Sequence, residues 1–322
     1  MRFSRFGTVV LLSVVVLMGT NCSYYNRVIA RKNLVDGATA YKDRKFPEAE
    51  RLFRAAVSRD PKGENLEGKM AQLFLARTLH SMFIGDRSKK NLAEEAIAEY
   101  QKALALDNKD QSSYKAIASL YENLQKTDEW LAWVTKRSND TTIPPEQRAE
   151  ALTSLAAKKN TCANDITDTE ATKKTITKDG KQAFQFVKPA KPEDYESLGK
   201  CIAEGMALID QALAVEPPVV KNAASLDIRG LSDADLAKNQ DILKVFESAR
   251  SYKASLLVQA MRLAEMDGRT EDRDRLKAEA DEARKNFVAL SDVVKKIQAQ
   301  IDERAAAKEV GANANKADAN KK

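Results

Sequence analysis

Three stretches of the chain place a small residue, a large one, a second small one and a helix terminator at intervals of 4, 3 and 5. In "PEAERLFRAAVSRDP" the set is Ala49, Phe53, Ala56 and Pro61; in "EEAIAEYQKALALDN" it is Ala96, Tyr100, Ala103 and Asn108. In "AEGMALIDQALAVEP" it is Gly205, Ile209, Ala212 and Pro217. At 3.6 residues per turn the first three members of each set share one stripe, so each stretch predicts a helix that a second helix approaches closely at the small sites. An ordinary bundle with chance recurrence of Ala and Leu is the competing reading. Three identical interval sets, two of them closed by proline, weigh against it.

Each stripe has a partner helix upstream. In "LVDGATAYKDRKF" Gly37 lies 12 residues before Ala49; in "FLARTLHSM" Leu75, Ala76 and Leu79 take the same part, and in "YKAIASLYENL" it is Ile117, Ala118 and Tyr121. These residues and intervals resemble the tetratricopeptide repeat (TPR), a helix–turn–helix unit of about 34 residues whose copies stack into a superhelix. The likeness is fullest over residues 30–137 and extends through 145–217. It implies an all-α fold, a TPR-like helical-hairpin solenoid. Two departures stand out: Trp130 fills the small site of the third copy, and no tryptophan opens any first helix. Trp130 and Trp133 read either as buried where copies meet or as an exposed pair anchoring a partner. The second copy is longer, with 20 residues from Ala76 to Ala96, and "FIGDRSKKN" is expected to take up the difference as a longer turn.

A fourth unit opens with "PEQRAEALTSLAAKKN", where Leu155 and Ala156 stand at the stacking sites, but its partner at 193–216 arrives late. Between them "TKKTITKDGKQAFQFVKPAKP" alternates β-branched and aromatic residues around Asp179-Gly180, a strong local signal for a two-residue hairpin turn. An inserted, protruding β-hairpin is therefore expected at about 173–187. Counted on the repeat, Cys162 is where the first helix of this unit ends and Cys201 lies just inside the second, so the pair is expected to meet at the neck of the insertion. A disulfide there is one reading; two separate buried thiols are the other.

Beyond Pro217, Ser232 and Thr270 are plausible caps of two long helices. Leu276, Ala280, Ala283, Phe287, Leu290, Val294 and Ile297 keep a 3–4 spacing, so the last helix is long and one-sided, fitted to cap the stack or to extend as a coiled-coil arm. The tail lacks an apolar face and is expected to be disordered. The organisation that follows is a signal peptide at 1–21, repeats one to three at 22–137, a fourth pair with its hairpin at 138–217, long C-terminal helices at 218–308 and the tail at 309–322.

Arg2 and Arg5 precede a nearly wholly apolar run from Thr8 to Met18, the order of a secretory signal. About 11 apolar residues do not span a hydrocarbon core of about 30 Å. "GTNC" resembles a bacterial lipobox, which implies a lipidated Cys22, although Asn21 stands where Gly, Ala or Ser is usual. A signal cut elsewhere, giving a soluble periplasmic product, and an uncleaved short anchor are the alternatives. Ser23 after the cysteine, by the same resemblance, is compatible with the outer membrane.

Lys and Arg exceed Asp and Glu by only 6, much of the excess lies in the flanks, and no basic stripe interleaved with aromatics is present, which argues against nucleic-acid binding. His80 is the single histidine. With no phosphate-binding glycine loop and no CxxC, neither an enzyme nor a metal or other cofactor is expected. "DNKDQS" at Asp107 lacks the glycine and closing Glu of a calcium loop. In the first helices, the residues three before, one after and four after the small site project together. Resemblance to the repeat family implies that this face lines a concave groove for extended peptides or partner helices. Tyr41, Arg77, His80, Lys115 and Glu122 lie on it; the plainer reading is an exposed helix face. The function expected is an exported, lipid-anchored scaffold for protein–protein contacts in a bacterial envelope assembly, with a soluble periplasmic chaperone-like or peptide-binding module as the alternative.

Overall fold

The computed structural model describes residues 24–178 and 180–319. Cys22, the leader before it and Asp179 of the hairpin turn lie outside them. The described chain is all-α with one two-stranded antiparallel hairpin, and it divides into two compact units, one ending at Trp130 and the other starting at Leu131.

The first unit contains α1 (24–42), α2 (Phe46–Arg59), α3 (Leu66–Gly85), α4 (Lys90–Leu106) and α5 (Gln111–Asn123); the boundary falls inside α6 (Thr127–Asn139). The stripes in α2 and α4 are buried at all six positions, Ala49, Phe53 and Ala56, then Ala96, Tyr100 and Ala103. Gly37 of α1 shows why the notch residue must be small: a Cβ there would lie 2.8 Å from Cε1 of Phe53. The Phe53 ring in turn stacks on Phe74 of α3 at 5.5 Å, and Tyr41 of α1 meets the same Phe74 edge-on at 6.2 Å. Thus α3 rests on both helices of the preceding pair, the stacking mode of a TPR-like solenoid. A buried polar peg reinforces the next step, where the Gln72 amide donates to the Glu99 carbonyl (3.1 Å) and to its carboxylate (2.6 Å). Trp130 is buried and Trp133 half-buried.

The extra length of the second copy does not form a long turn. Helix α3 runs on through Gly85, because Phe83 supplies another buried anchor, and the turn is confined to residues 86–89. The carboxylates of "DNKDQS" serve local backbone: Asp107 accepts from the Lys109 N–H, and Asp110 caps α5 by accepting from the Ser112 and Ser113 N–H groups.

The second unit comprises the rest of α6, α7 (Pro145–Thr167), β1 (Lys173–Lys178), β2 (Lys181–Phe186), α8 (Pro192–Ala214), the short α9 (Pro218–Lys221), a 3₁₀ turn (Ala223–Ser225), α10 (Asp233–Met266) and α11 (Thr270–Ala319). Helix α10 packs on α7 and α8 and pairs with α11. Its main core joins Leu152, Ala156, Ile209, Phe246, Leu256, Leu290 and Ile297. Gly205, Ile209 and Ala212 are buried, and a Cβ on Gly205 would lie 2.7 Å from Cδ2 of Leu256. Of the two fates open to the last helix, folding back prevails: Arg304 donates to the Leu231 and Arg229 carbonyls and pairs with Asp233 at 2.9 Å. The backbone stays helical to Ala319, through most of the tail for which disorder was expected. Ala and Lys favour helix even where the sequence carries no apolar stripe.

Helices α7 and α8 are longer than the repeat count predicts. Cys162 is therefore not at a helix end but inside α7, and Cys201 is well inside α8. The two are bonded, with Cα atoms 6.2 Å apart, and join helix interiors below the insertion rather than its neck. The added turns of α7 are held by α10, where Thr167 donates to Gln259 at 2.9 Å and Gln259 donates to Asn164. The hairpin has the expected register, Lys178 opposite Lys181, with Gly180 at φ +76°. Its base is seated rather than free: Phe186 is buried, its N–H donates to Glu265 (3.3 Å), and the Arg262 guanidinium lies 4.5 Å from its ring centre. Phe184, on the outer part, remains 58% exposed.

Candidate partner-binding groove

Sequence spacing sets Tyr41, Arg77 and His80 on the same side of their helices, and stacking of α3 on α1 and α2 brings all three to one pocket. The pocket has a volume of about 610 Å³ and is lined by Tyr41 and Lys42 of α1, Arg44 of the turn, Phe46 of α2, Arg77, His80, Ser81, Ile84 and Gly85 of α3, and Tyr100 of α4. Each wall has a local cause. The turn between α1 and α2 closes because Arg44 adopts φ 59° and donates its N–H to the Tyr41 carbonyl at 3.0 Å. That turn carries Arg44 to the rim, beside Lys42 at the end of α1, and Phe46 inward, where its ring meets Tyr41 edge-on at 5.5 Å.

The floor is a fixed polar set. Tyr41 shares a hydrogen bond with Ser81 at 3.0 Å, and His80 Nδ1 shares one with the Tyr100 hydroxyl at 3.3 Å, the two rings edge to face. Burial, with a lesser push from Arg87, lowers the His80 pKa below its ordinary value, so the ring is neutral near pH 7. Burial likewise raises the Tyr100 pKa. The Arg77 guanidinium lies 5.5 Å from the Phe74 ring centre and donates to Ser112 of α5 at 3.0 Å. The lining thus offers three cations, Lys42, Arg44 and Arg77, no carboxylate, and an aromatic surface between them. Such a site suits an extended chain presenting a carboxylate next to an apolar side chain.

Lys115 and Glu122 are not among the residues of this pocket. Both are exposed on α5, the helix that Arg77 reaches through Ser112. Phe46, Ser81 and Tyr100 complete the site although spacing alone did not single them out for it. Tyr100 was already marked as the large member of its stripe; its ring fills the core while its hydroxyl reaches the groove. Among the described residues, no group of three or more His, Cys, Asp or Glu side chains is placed to hold a metal ion, and no helix is long and apolar enough to cross a membrane.

No protein-family model matches the chain, and no curated protein matches it either. Among solved structures, one described as the functional characterization of Pseudomonas aeruginosa pilF aligns over 85% of this chain and 99% of that chain. Identity is 17% and the TM-score 0.30, so nothing about function is taken from the likeness.

Proposed function

We propose that the protein is an exported, lipid-anchored helical-repeat scaffold that binds an extended segment of a partner protein in a bacterial envelope assembly. Cys22 carries the lipid, the stacked helices of the first unit form the body that displays the groove, and the groove at Tyr41, Arg77 and His80 is the docking site, continued along α5 by Lys115 and Glu122. The protein acts by display, without catalysis and without a cofactor, and nucleic acid is not its partner. The observation that supports this reading is the lining of the groove: an aromatic wall and three cations, with hydrogen-bonding groups held in place by the stacking of four helices.

A display library of extended peptides tests the docking role, with affinities read by fluorescence anisotropy. Selected peptides carry an acidic residue beside an apolar one, and Arg77→Glu weakens them by tenfold or more, a cost of about 1.4 kcal/mol or above. Binding indifferent to both Arg77→Glu and Tyr41→Ala refutes the groove. The tether is tested separately by labelling with a radioactive fatty acid, which Cys22→Ala abolishes if the reading holds.

A further inference from the structure

The first helix has a face that the stack does not use. On α1 the core side is Ala30, Gly37 and Ala40, all buried. Residues 24, 28 and 35 point to the opposite side at 100° per residue. There Tyr24 is 72% exposed, Val28 47% and Val35 56%, with Tyr25 at 59% beside them. Arg31 and Lys32 are exposed on either side of this stripe, and Lys32 pairs with Asp36 at 2.7 Å. An outward face of a solvated helix is expected to be polar; this one is narrow, apolar and aromatic, and bordered by cations.

We propose that this face of α1 lies on an anionic lipid surface, so that the scaffold is held against the membrane in one orientation and does not swing on a flexible tether. Three observations favour lipid over protein as the occupant. Two tyrosines at the leader end have the chemistry of the headgroup region, where an amphipathic ring keeps its hydroxyl wet. Cations border the apolar stripe, as in helices that lie in the membrane interface, whereas the cores of protein interfaces are depleted of charge. Finally, Tyr24 follows Cys22 by two residues, at most about 7 Å of chain, so a lipid on Cys22 brings the start of α1 to the headgroups. The stripe then continues for about 16 Å along the helix to Val35. This inference rests on the tether reading above.

The test uses the full lipidated chain in vesicles of zwitterionic phospholipid with and without anionic phosphatidylglycerol. A nitroxide is attached at Val28→Cys, at Val35→Cys and, for comparison, at Phe184→Cys on the hairpin. On anionic vesicles the labels at 28 and 35 are expected to lose accessibility to a water-soluble nickel relaxant by about threefold or more, and the label at 184 to stay accessible. Labels at 28 and 35 that remain as accessible as the one at 184, while the protein stays with the vesicles, overturn the face and leave the tether standing. Protein that washes off the vesicles overturns the tether. Shielding that is already present without vesicles assigns the face to protein, a second copy or another segment of this chain, and also overturns the proposal.

Discussion

Gly205 of α8 lies directly beneath Leu256 of α10, so close that a Cβ on the glycine would stand 2.7 Å from the leucine Cδ2 and 3.1 Å from Cβ of Lys159. Leu256 is fully buried, so any shift of its side chain must be taken up by the close-packed core around it. Alanine at 205 gains up to about 1 kcal/mol of helix propensity. Overpacking costs about 1–3 kcal/mol, so Gly205→Ala is expected to be a net loss. Urea unfolding measures it, and the same substitution in a Leu256→Ala background is expected to recover most of the difference.

The Cys162–Cys201 bridge closes a loop with a sequence separation of 39. On the loop-entropy account, replacing both cysteines by serine costs up to about 4 kcal/mol. Reductant should lower the urea midpoint of the wild type and leave the double variant unmoved.

Asp267, at the C-terminus of α10, ties the hairpin exit to the start of α8. It accepts from Tyr195, pairs with Lys188 at 2.9 Å and is bonded by Arg269. The Tyr195 hydroxyl makes the largest contribution, burial opposes it, and Lys188 and Arg269 add to it, so that its pKa is held at about 2, below the ordinary 3.8. A depressed carboxylate stabilises the fold above its unfolded pKa and loses that contribution as pH falls through the folded one. The stability difference between wild type and Asp267→Asn is therefore constant near neutrality and shrinks between about pH 4 and pH 2, as thermal unfolding across that range will show.

His80 carries the opposite charge type with the same sign of pH dependence. Its pKa is lowered by burial and by Arg87, so the unfolded chain takes up a proton before the native one does. Stability is full above the unfolded value of 6.5 and declines as pH falls toward the native value. His80→Gln, which keeps a polar partner for Tyr100, is expected to abolish that decline, measured as the difference in unfolding midpoint between pH 7.5 and pH 5.

The stripes were legible because helix-on-helix packing leaves a local mark: a notch at Ala49, Ala96 or Gly205 must recur with the helical period. The hairpin was legible because Gly180 sits where positive φ is needed. What could not be read was the length of α7. Its last turns depend on Thr167 and Asn164 meeting Gln259, residues more than 90 apart in sequence with no periodic signature. The same limit applies to α3, whose extension rests on one buried phenylalanine, and to the groove. Tyr41, Arg77 and His80 follow from spacing within single helices, whereas Phe46, Ser81 and Tyr100 join them only through the way four helices are stacked.

The joined cysteines have a consequence for how the insertion tolerates damage. Both sulfurs sit on the helical side of the hairpin, so a protease that nicks the exposed strand around Phe184 severs the backbone but not the molecule. The two fragments stay linked and migrate as one species in non-reducing electrophoresis, parting only when a thiol is added. The hairpin is thus an appendage that can be clipped, lengthened or replaced while its root helices remain covalently clasped.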